Sequence, residues 1–235
     1  TPRIDALAEE GVVFENALTV APRTWQSFSS ILTGVYPPRH GVRHVFGRPI
    51  QPEMETLASI FAREGYETAA FDGMTFLRGM TGGRGFGEFR DPKTLTEGKM
   101  YGDKAVMDSF IDWLSTARQP FLAFLRLSAP HWTYLCEPVF HEGVEGHEEI
   151  SHEFNAGSHG MGLRGGEMGL TDKEAYRRRF YGYQPDPRER EHMILHYDEC
   201  VRESDTEIAR GIARLEELGM LENSIIVVTA DHGES

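Results

Sequence analysis

Apolar and polar residues follow one another along the chain in two patterns, one with the spacing of helices and one with the spacing of strands. Apolar residues at intervals of three and four, bounded by cap residues, glycine or proline, predict amphipathic helices. The predicted helices cover residues 1–11, 27–32, 55–65, 101–116 and 191–218. Short apolar runs predict strands over residues 12–17, 67–71, 121–125 and 224–229.

The order of these elements predicts the fold class. A helix followed by a buried strand, repeated along the chain, is typical of a parallel sheet. We therefore expect an α/β fold in which a mostly parallel central sheet is flanked by helices. Residues 73–91 are rich in glycine and are predicted to form a loop.

Residues 137–190 break this rhythm, because Gly, His, Glu and Arg are abundant there and apolar periodicity is weak. This composition predicts an insertion over the active face, a lid or specificity loop, and not a second core. Residues 1–235 are accordingly expected to form a single domain that carries this insertion.

The charge balance narrows the class of ligand. A net charge of -13 argues against nucleic acid or an anionic membrane surface as a partner. A small anionic substrate must then be held by a local cluster of cations. No apolar run reaches the ~18 residues that span a bilayer. Cys136 and Cys200 have no metal-ligand spacing and leave one disulfide open.

The chain starts without Met and stops directly after a predicted strand, so both ends are expected to be cuts within a longer protein. A leader or anchor would then lie outside it. The compartment stays open between cytoplasm and periplasm or exterior.

Asp231 and His232 close the apolar run 224–229 and are the clearest candidate metal ligands. In open α/β sheets, ligands bind at the carboxyl ends of the strands, where these two side chains are predicted to lie. For the dipeptide alone, a helix-capping Asp231 and a surface His232 would be the better interpretation.

Several segments, in order, resemble the sulfatase family of the alkaline phosphatase superfamily. They are TPRIDALAEEGVVF (residues 1–14), LTGVYPPRHGVR (32–43), residues 57–71 with GYETA, Pro130-His131, residues 197–218 and TADHGE (229–234). The resemblance covers nearly the whole chain. It implies an alkaline-phosphatase-like fold, a divalent metal and ester hydrolysis.

One departure from the family bears on mechanism. Typical sulfatases carry Cys-x-Pro-Ser-Arg, whose first residue is converted to formylglycine, and the register from Gly34 places Thr24 there. Of the rest of the motif, Ser27 is retained and Phe28 replaces Arg. Formylglycine is therefore not expected. Superfamily members that cleave or transfer phosphate esters resemble the chain better here, because many use an unmodified Thr nucleophile.

A metal ion would lower the pKa of the Thr24 hydroxyl and neutralise charge on the transferred group. The structural alternative is that Thr24 only caps the helix that follows it. The resemblance implies Asp231, His232 and Thr24 as metal ligands, with further carboxylates on a strand before residue 1. The imidazole of His232 favours Zn or Mn over Ca.

Other candidate residues rest on the same resemblance. His131 is expected to contact the substrate, as a second catalytic residue beside Thr24. His40 and Arg43 either orient the anion or hold their own turn through salt bridges. The lysine and histidine that the family carries after its second strand are absent from residues 71–77, so charge stabilisation must come from elsewhere.

The leading hypothesis is a metal-dependent hydrolase of sulfate or phosphate esters or diesters that uses Thr24 as nucleophile. One alternative is a transferase that passes a phospho-group to an alcohol. The other is a degenerate relative that keeps the fold for binding alone, which the lost Arg and Lys positions would support.

Overall fold

A computed structural model describes residues 1–44, 48–74, 76–91, 102–131 and 187–233. Its helices are α1 (Pro2–Glu10), α2 (Thr24–Thr33), α3 (Pro37–His40), α4 (Leu57–Arg63), α5 (Phe76–Thr81), α6 (Asp103–Leu114) and α7 (Pro187–Glu217), with a 3-10 turn at Leu221–Asn223. Its strands are β1 (Glu67–Asp72), β2 (Glu88–Arg90) and β3 (Phe121–Arg126). No described helix is long and apolar enough to cross a bilayer.

The chain divides into two compact units. One comprises Thr1–Ser128 with Ser204–Ser235 and the other Ala129–Glu203, so that the boundary falls within α7. The second unit contains the predicted insertion at residues 137–190, which lies outside the described residues except for 187–190. In this unit Cys200 is buried and disulfide-bonded. Cys136, the other cysteine of the chain, is not among the described residues.

The first unit is built on a parallel sheet in the order β2-β1-β3. Successive residues of β1 point to opposite faces. Ala69 and Phe71 pack against a cluster that includes residues of α6 and α7, whereas Ala70 packs with residues of α2 and α5. Helices therefore cover both faces of the central strand. The predicted α/β class with a parallel sheet is confirmed.

Two predicted strands are not strands in the structure. Residues 12–17 and 224–229 do not join a ladder in the described part of the chain, although their sequences are apolar. Phe14 is 80% exposed and Ile225 is 94% exposed. The prediction was wrong because an apolar run forms a strand only where a neighbouring strand is present to pair with it.

The predicted loop at residues 73–91 was also wrong in part, since it contains α5 and β2. Leu77 and Met80 of α5 are fully buried against α2. Glycine is required in this segment where its backbone passes close to another part of the backbone, as well as in turns. A Cβ at Gly85, where φ is +84°, would lie 2.2 Å from the Ser59 nitrogen in α4.

The N-terminus of α1 is capped from a distance. Thr1 stands at the N-cap position, but its hydroxyl donates to the Asp5 carboxylate and makes no cap bond. Instead, the buried Asp205 of α7 accepts hydrogen bonds from the N–H groups of Arg3 and Ile4 at 2.8 to 3.1 Å. A carboxylate 201 residues away thus satisfies orphan donors of the first turn.

We predict that Asp205→Ala lowers the free energy of unfolding by about 1–2 kcal/mol, because the first turn of α1 loses its cap. Urea unfolding of the intact protein measures the change. Glu216→Ala removes an exposed carboxylate from the same helix and is the control. Equal stabilities of the two variants would contradict the capping role.

Candidate functional site

The structure brings Thr24 and His232 together, although 208 residues separate them. Thr24 Oγ1 lies 3.1 Å from His232 Nε2. Thr24 is the first residue of α2, directly after Arg23, whose backbone is extended. Its hydroxyl therefore stands at a helix N-terminus, where backbone N–H groups without intrahelical acceptors favour an anion.

The second nitrogen of His232 decides which tautomer the ring adopts. His232 Nδ1 lies 2.8 Å from the Gly233 carbonyl oxygen, which only accepts hydrogen bonds, so Nδ1 must carry a proton. In the neutral ring, Nε2 then presents a lone pair toward Thr24. That arrangement suits either acceptance of the Thr24 hydroxyl proton or coordination of a metal through Nε2.

Asp231 brings a carboxylate oxygen close to His232 Nε2. Its Oδ2 lies 3.5 Å from His232 Nε2, and both side chains are about one-fifth exposed. Its backbone oxygen accepts hydrogen bonds from the hydroxyls of Ser27 and Thr19, each at 2.6 Å. The end of the chain is thus held against α2 by side-chain and backbone contacts.

These residues fit part of a metal site. A hydroxyl oxygen, a carboxylate oxygen and an imidazole nitrogen converge within 3.5 Å of His232 Nε2, a mixed oxygen and nitrogen set that suits a borderline divalent cation. Within the described ranges, no cluster of three or more His, Cys, Asp or Glu side chains could hold a metal ion. A metal bound by Thr24, Asp231 and His232 would therefore have only part of its coordination shell from the described residues.

His40 and Arg43 have different surroundings. His40 is fully buried, where its Nδ1 accepts the Val42 N–H at 3.1 Å and its Nε2 lies 3.0 Å from Ser30 Oγ. These contacts hold the turn after α3 against α2, as in the structural alternative, although through hydrogen bonds and not salt bridges. Arg43 is exposed, and its carbonyl accepts a hydrogen bond from Gln26.

His131 is partly buried and follows β3 by five residues. It belongs to the unit Ala129–Glu203, whereas Thr24 and His232 belong to the other unit. The expected contact of His131 with the substrate stays a prediction.

The structure also reveals a buried ion pair that the sequence did not suggest. Arg126, at the end of β3, donates to the Asp72 carboxylate at the end of β1 over 3.2 Å. The Arg126 guanidinium lies 5.1 Å from the ring centroid of Phe28 in α2. Arg126 went unnoticed because it follows an apolar run. Two opposite charges ending neighbouring parallel strands are the signal that could have found the pair.

Asp72 also joins this pair to α5. Its carboxylate accepts hydrogen bonds from the N–H groups of Met74 and Leu77, both at 3.0 Å. Burial raises the pKa of the Asp72 carboxyl, and the charge of Arg126 and these N–H groups oppose the rise. A cation is thereby fixed at the carboxyl edge of the sheet, beside the helix that carries Thr24.

Comparisons with known proteins identify the family of the chain. The sulfatase family model matches residues 1–235. An ulvan-active sulfatase of Formosa agariphila is 24% identical over 261 residues, covering 100% of this chain and 46% of the relative. A Delta 4,5-hexuronate-2-O-sulfatase of Bacteroides thetaiotaomicron is 29% identical over 54% of this chain and 28% of the relative. The chain thus spans at most about half the length of these two relatives.

Two solved structures share the fold. A phosphonate monoester hydrolase from Silicibacter pomeroyi matches with a TM-score of 0.68 and 22% identity, over 99% of this chain and 57% of that one. The phosphonate monoester hydrolase of Agrobacterium radiobacter matches with a TM-score of 0.61 and 18% identity, over 94% of this chain and 55% of that one. At these identities the likeness establishes the alkaline-phosphatase-like fold alone.

The burial of His40 predicts a pH dependence of stability. Burial lowers the pKa of His40 from its ordinary value of 6.5, against an opposing hydrogen bond to the backbone of Gln26. Because the unfolded chain then binds the proton at higher pH than the folded chain, acidification through and below pH 6.5 favours unfolding. His40→Gln should weaken that dependence.

The measurement is the free energy of unfolding of the intact protein at a series of values from about pH 7 to pH 5. His44→Gln removes an exposed histidine of the same segment and is the control for loss of a ring. Parallel curves for wild type and His40→Gln would contradict the prediction.

Proposed function

Because the chain belongs to the sulfatase family, we propose that it is the catalytic part of a metal-dependent hydrolase of sulfate or phosphate esters or diesters. Thr24 is the nucleophile, and Thr24, Asp231 and His232 are ligands of the metal. The 3.1 Å contact between Thr24 Oγ1 and His232 Nε2 supports this assignment most directly. It places a hydroxyl beside the imidazole lone pair at a helix N-terminus.

In this mechanism, Thr24 Oγ1 gives up its proton and attacks the sulfur or phosphorus atom. The bond to the ester oxygen breaks on the opposite side, and in balance the proton lost by Thr24 leaves with that oxygen as the alcohol. Water then cleaves the threonyl ester and returns the Thr24 hydroxyl, and it releases inorganic sulfate or phosphate from a monoester or a phosphate monoester from a diester. A bound divalent metal would lower the pKa of the hydroxyl and offset charge on the transferred group. The first turn of α2 adds backbone N–H groups that favour the anion.

Two observations point to different esters. The relatives' names describe sulfatases, one active on ulvan and one a hexuronate-2-O-sulfatase, which supports a sulfated carbohydrate as substrate. Thr24 in place of the residue that becomes formylglycine supports phosphate chemistry instead. Arg43, which is exposed, is proposed to contact the substrate, and its loss should raise KM.

We predict that Thr24→Ala lowers kcat by about 1,000-fold or more on the ester that the wild type prefers, because the covalent route is lost. The test is a panel of aryl sulfate, phosphate monoester, phosphodiester and phosphonate substrates. Thr24→Ser restores a hydroxyl and should keep activity. Ser29→Ala is the matched control, since Ser29 Oγ is buried in α2 without a hydrogen-bond partner in the described structure.

Equal activity of wild type and Thr24→Ala on every substrate would overturn the nucleophile assignment. Products of the panel separate the alternatives. Hydrolysis is indicated by release of the free acid, which is inorganic sulfate or phosphate from the monoesters, a phosphate monoester from the diester and a phosphonate from the phosphonate substrate. Transfer to an added alcohol indicates the transferase, and no turnover of any ester supports the binding relic.

We further predict that chelation abolishes activity and that Zn or Mn restores it better than Ca, because an imidazole ligand disfavours calcium. Metal analysis of the intact protein should give a stoichiometric transition metal. His232→Ala should lower the metal content. Full recovery with calcium alone would contradict the proposed ligand set.

A further inference from the structure

The segment that carries Asp231 and His232 is not positioned by a sheet in the described residues. Residues 224–229 have no ladder partner there, and Ile225 and Val227 are 94% and 78% exposed. The geometry of the site nevertheless requires His232 Nε2 to stay 3.1 Å from Thr24 Oγ1. Some other contact must hold the end of this segment in place.

Two hydroxyl groups meet at the backbone just before His232. Ser27 Oγ and Thr19 Oγ1 each lie 2.6 Å from the Asp231 carbonyl oxygen, and 3.2 Å from each other. The oxygen has two lone pairs, so both hydroxyls can donate to it. The single proton of Thr19 has a second acceptor, the Ala21 carbonyl at 2.9 Å, whereas Ser27 is 3% exposed and donates to Asp231.

We infer that Ser27, assisted by Thr19, is a positioning residue that sets Asp231 and His232 against Thr24. The inference rests on the proposed function for its consequence in catalysis, and on hydrogen-bond geometry for the positioning itself. Ser27 touches neither the substrate nor the reacting atoms in this account. It acts through the peptide of Asp231.

The spacing on α2 makes this a two-point attachment. Thr24 and Ser27 are three residues apart and therefore share a face of the helix. One contact on that face holds the Asp231 carbonyl and the other meets the His232 ring. Because the carbonyl belongs to the peptide that links Asp231 to His232, fixing it restricts both side chains at once.

The positioning role of Ser27 does not depend on formylglycine. Ser27 stands at the Ser position of the sulfatase motif, while Thr24 and Phe28 depart from it. Its hydrogen bond to the Asp231 carbonyl needs only a hydroxyl at this position of α2. The bond can therefore serve a threonine nucleophile equally well.

The test compares wild type, Ser27→Ala, Thr19→Ala and the double variant in the intact protein, with Ser29→Ala as control. Ser29 is buried in the same helix, and its Oγ has no hydrogen-bond partner in the described part of the chain. Thr19 is exposed, so its variant should fold even where a change at buried Ser27 does not.

The primary measurement needs neither metal nor turnover. In metal-free protein, an NMR nuclear Overhauser contact between the Thr24 methyl group and the His232 ring should be present in wild type and Ser29→Ala. It should weaken in both single variants and disappear in the double variant. An unchanged contact in a folded double variant would overturn the inference.

A second measurement connects positioning to the proposed site. Manganese or zinc should bind Ser27→Ala about 10-fold more weakly than Ser29→Ala, as expected for loss of a residue that orients ligands. The loss should appear in kcat more than in KM. If wild type binds no metal, the proposed function fails, while the metal-free NMR result still decides the role of Ser27.

Discussion

The hydrogen bond between Thr24 and His232 is the contact on which the site depends, because it joins residues from opposite ends of the chain. The fold must first bring those ends together. The core around β1 fixes α2, since Ala70 packs in the same buried cluster as Trp25 and Phe28. Thr24, the first residue of α2, is partly exposed, whereas the five residues that follow it are buried. With His232 in place, the site contains a hydroxyl, a carboxylate and an imidazole, the three candidate ligands of the metal.

Local sequence patterns were sufficient for the longer helices and for β1 and β3, which pair with each other in the described structure. The helix that contains Thr24 ends at Gly34 in the left-handed region, as the glycine predicted, but begins three residues earlier than its apolar spacing indicated. The strand predictions for residues 12–17 and 224–229 were wrong because a strand needs a neighbouring strand to pair with. The sequence of one segment does not show whether such a partner is present. The short β2 was missed for the opposite reason. Its three residues carry little periodicity, and parallel pairing with β1 makes them a strand.

The candidate site shows the same division between local and long-range information. Asp231 and His232 could be proposed from the end of an apolar run, and Thr24 from a family register. Neither pattern predicts the tautomer of His232, which follows from the distance between His232 Nδ1 and the Gly233 carbonyl oxygen. The pairing of Arg126 with Asp72 was equally hidden, because two side chains 54 residues apart meet only once β1 and β3 are adjacent. That pair holds the Arg126 guanidinium 5.1 Å from the ring centroid of Phe28 in α2.

A covalent ester on Thr24 is the central chemical claim, since it separates a threonine hydrolase from a formylglycine sulfatase and from a binding relic. The direct measurement is mass spectrometry of the peptide that contains Thr24, after the intact protein is mixed with its preferred ester and quenched within one turnover. The account predicts the mass of a sulfate or phosphate group on Thr24 itself, absent from Thr24→Ala. Turnover with an unmodified Thr24, or with the group on another residue, would contradict it.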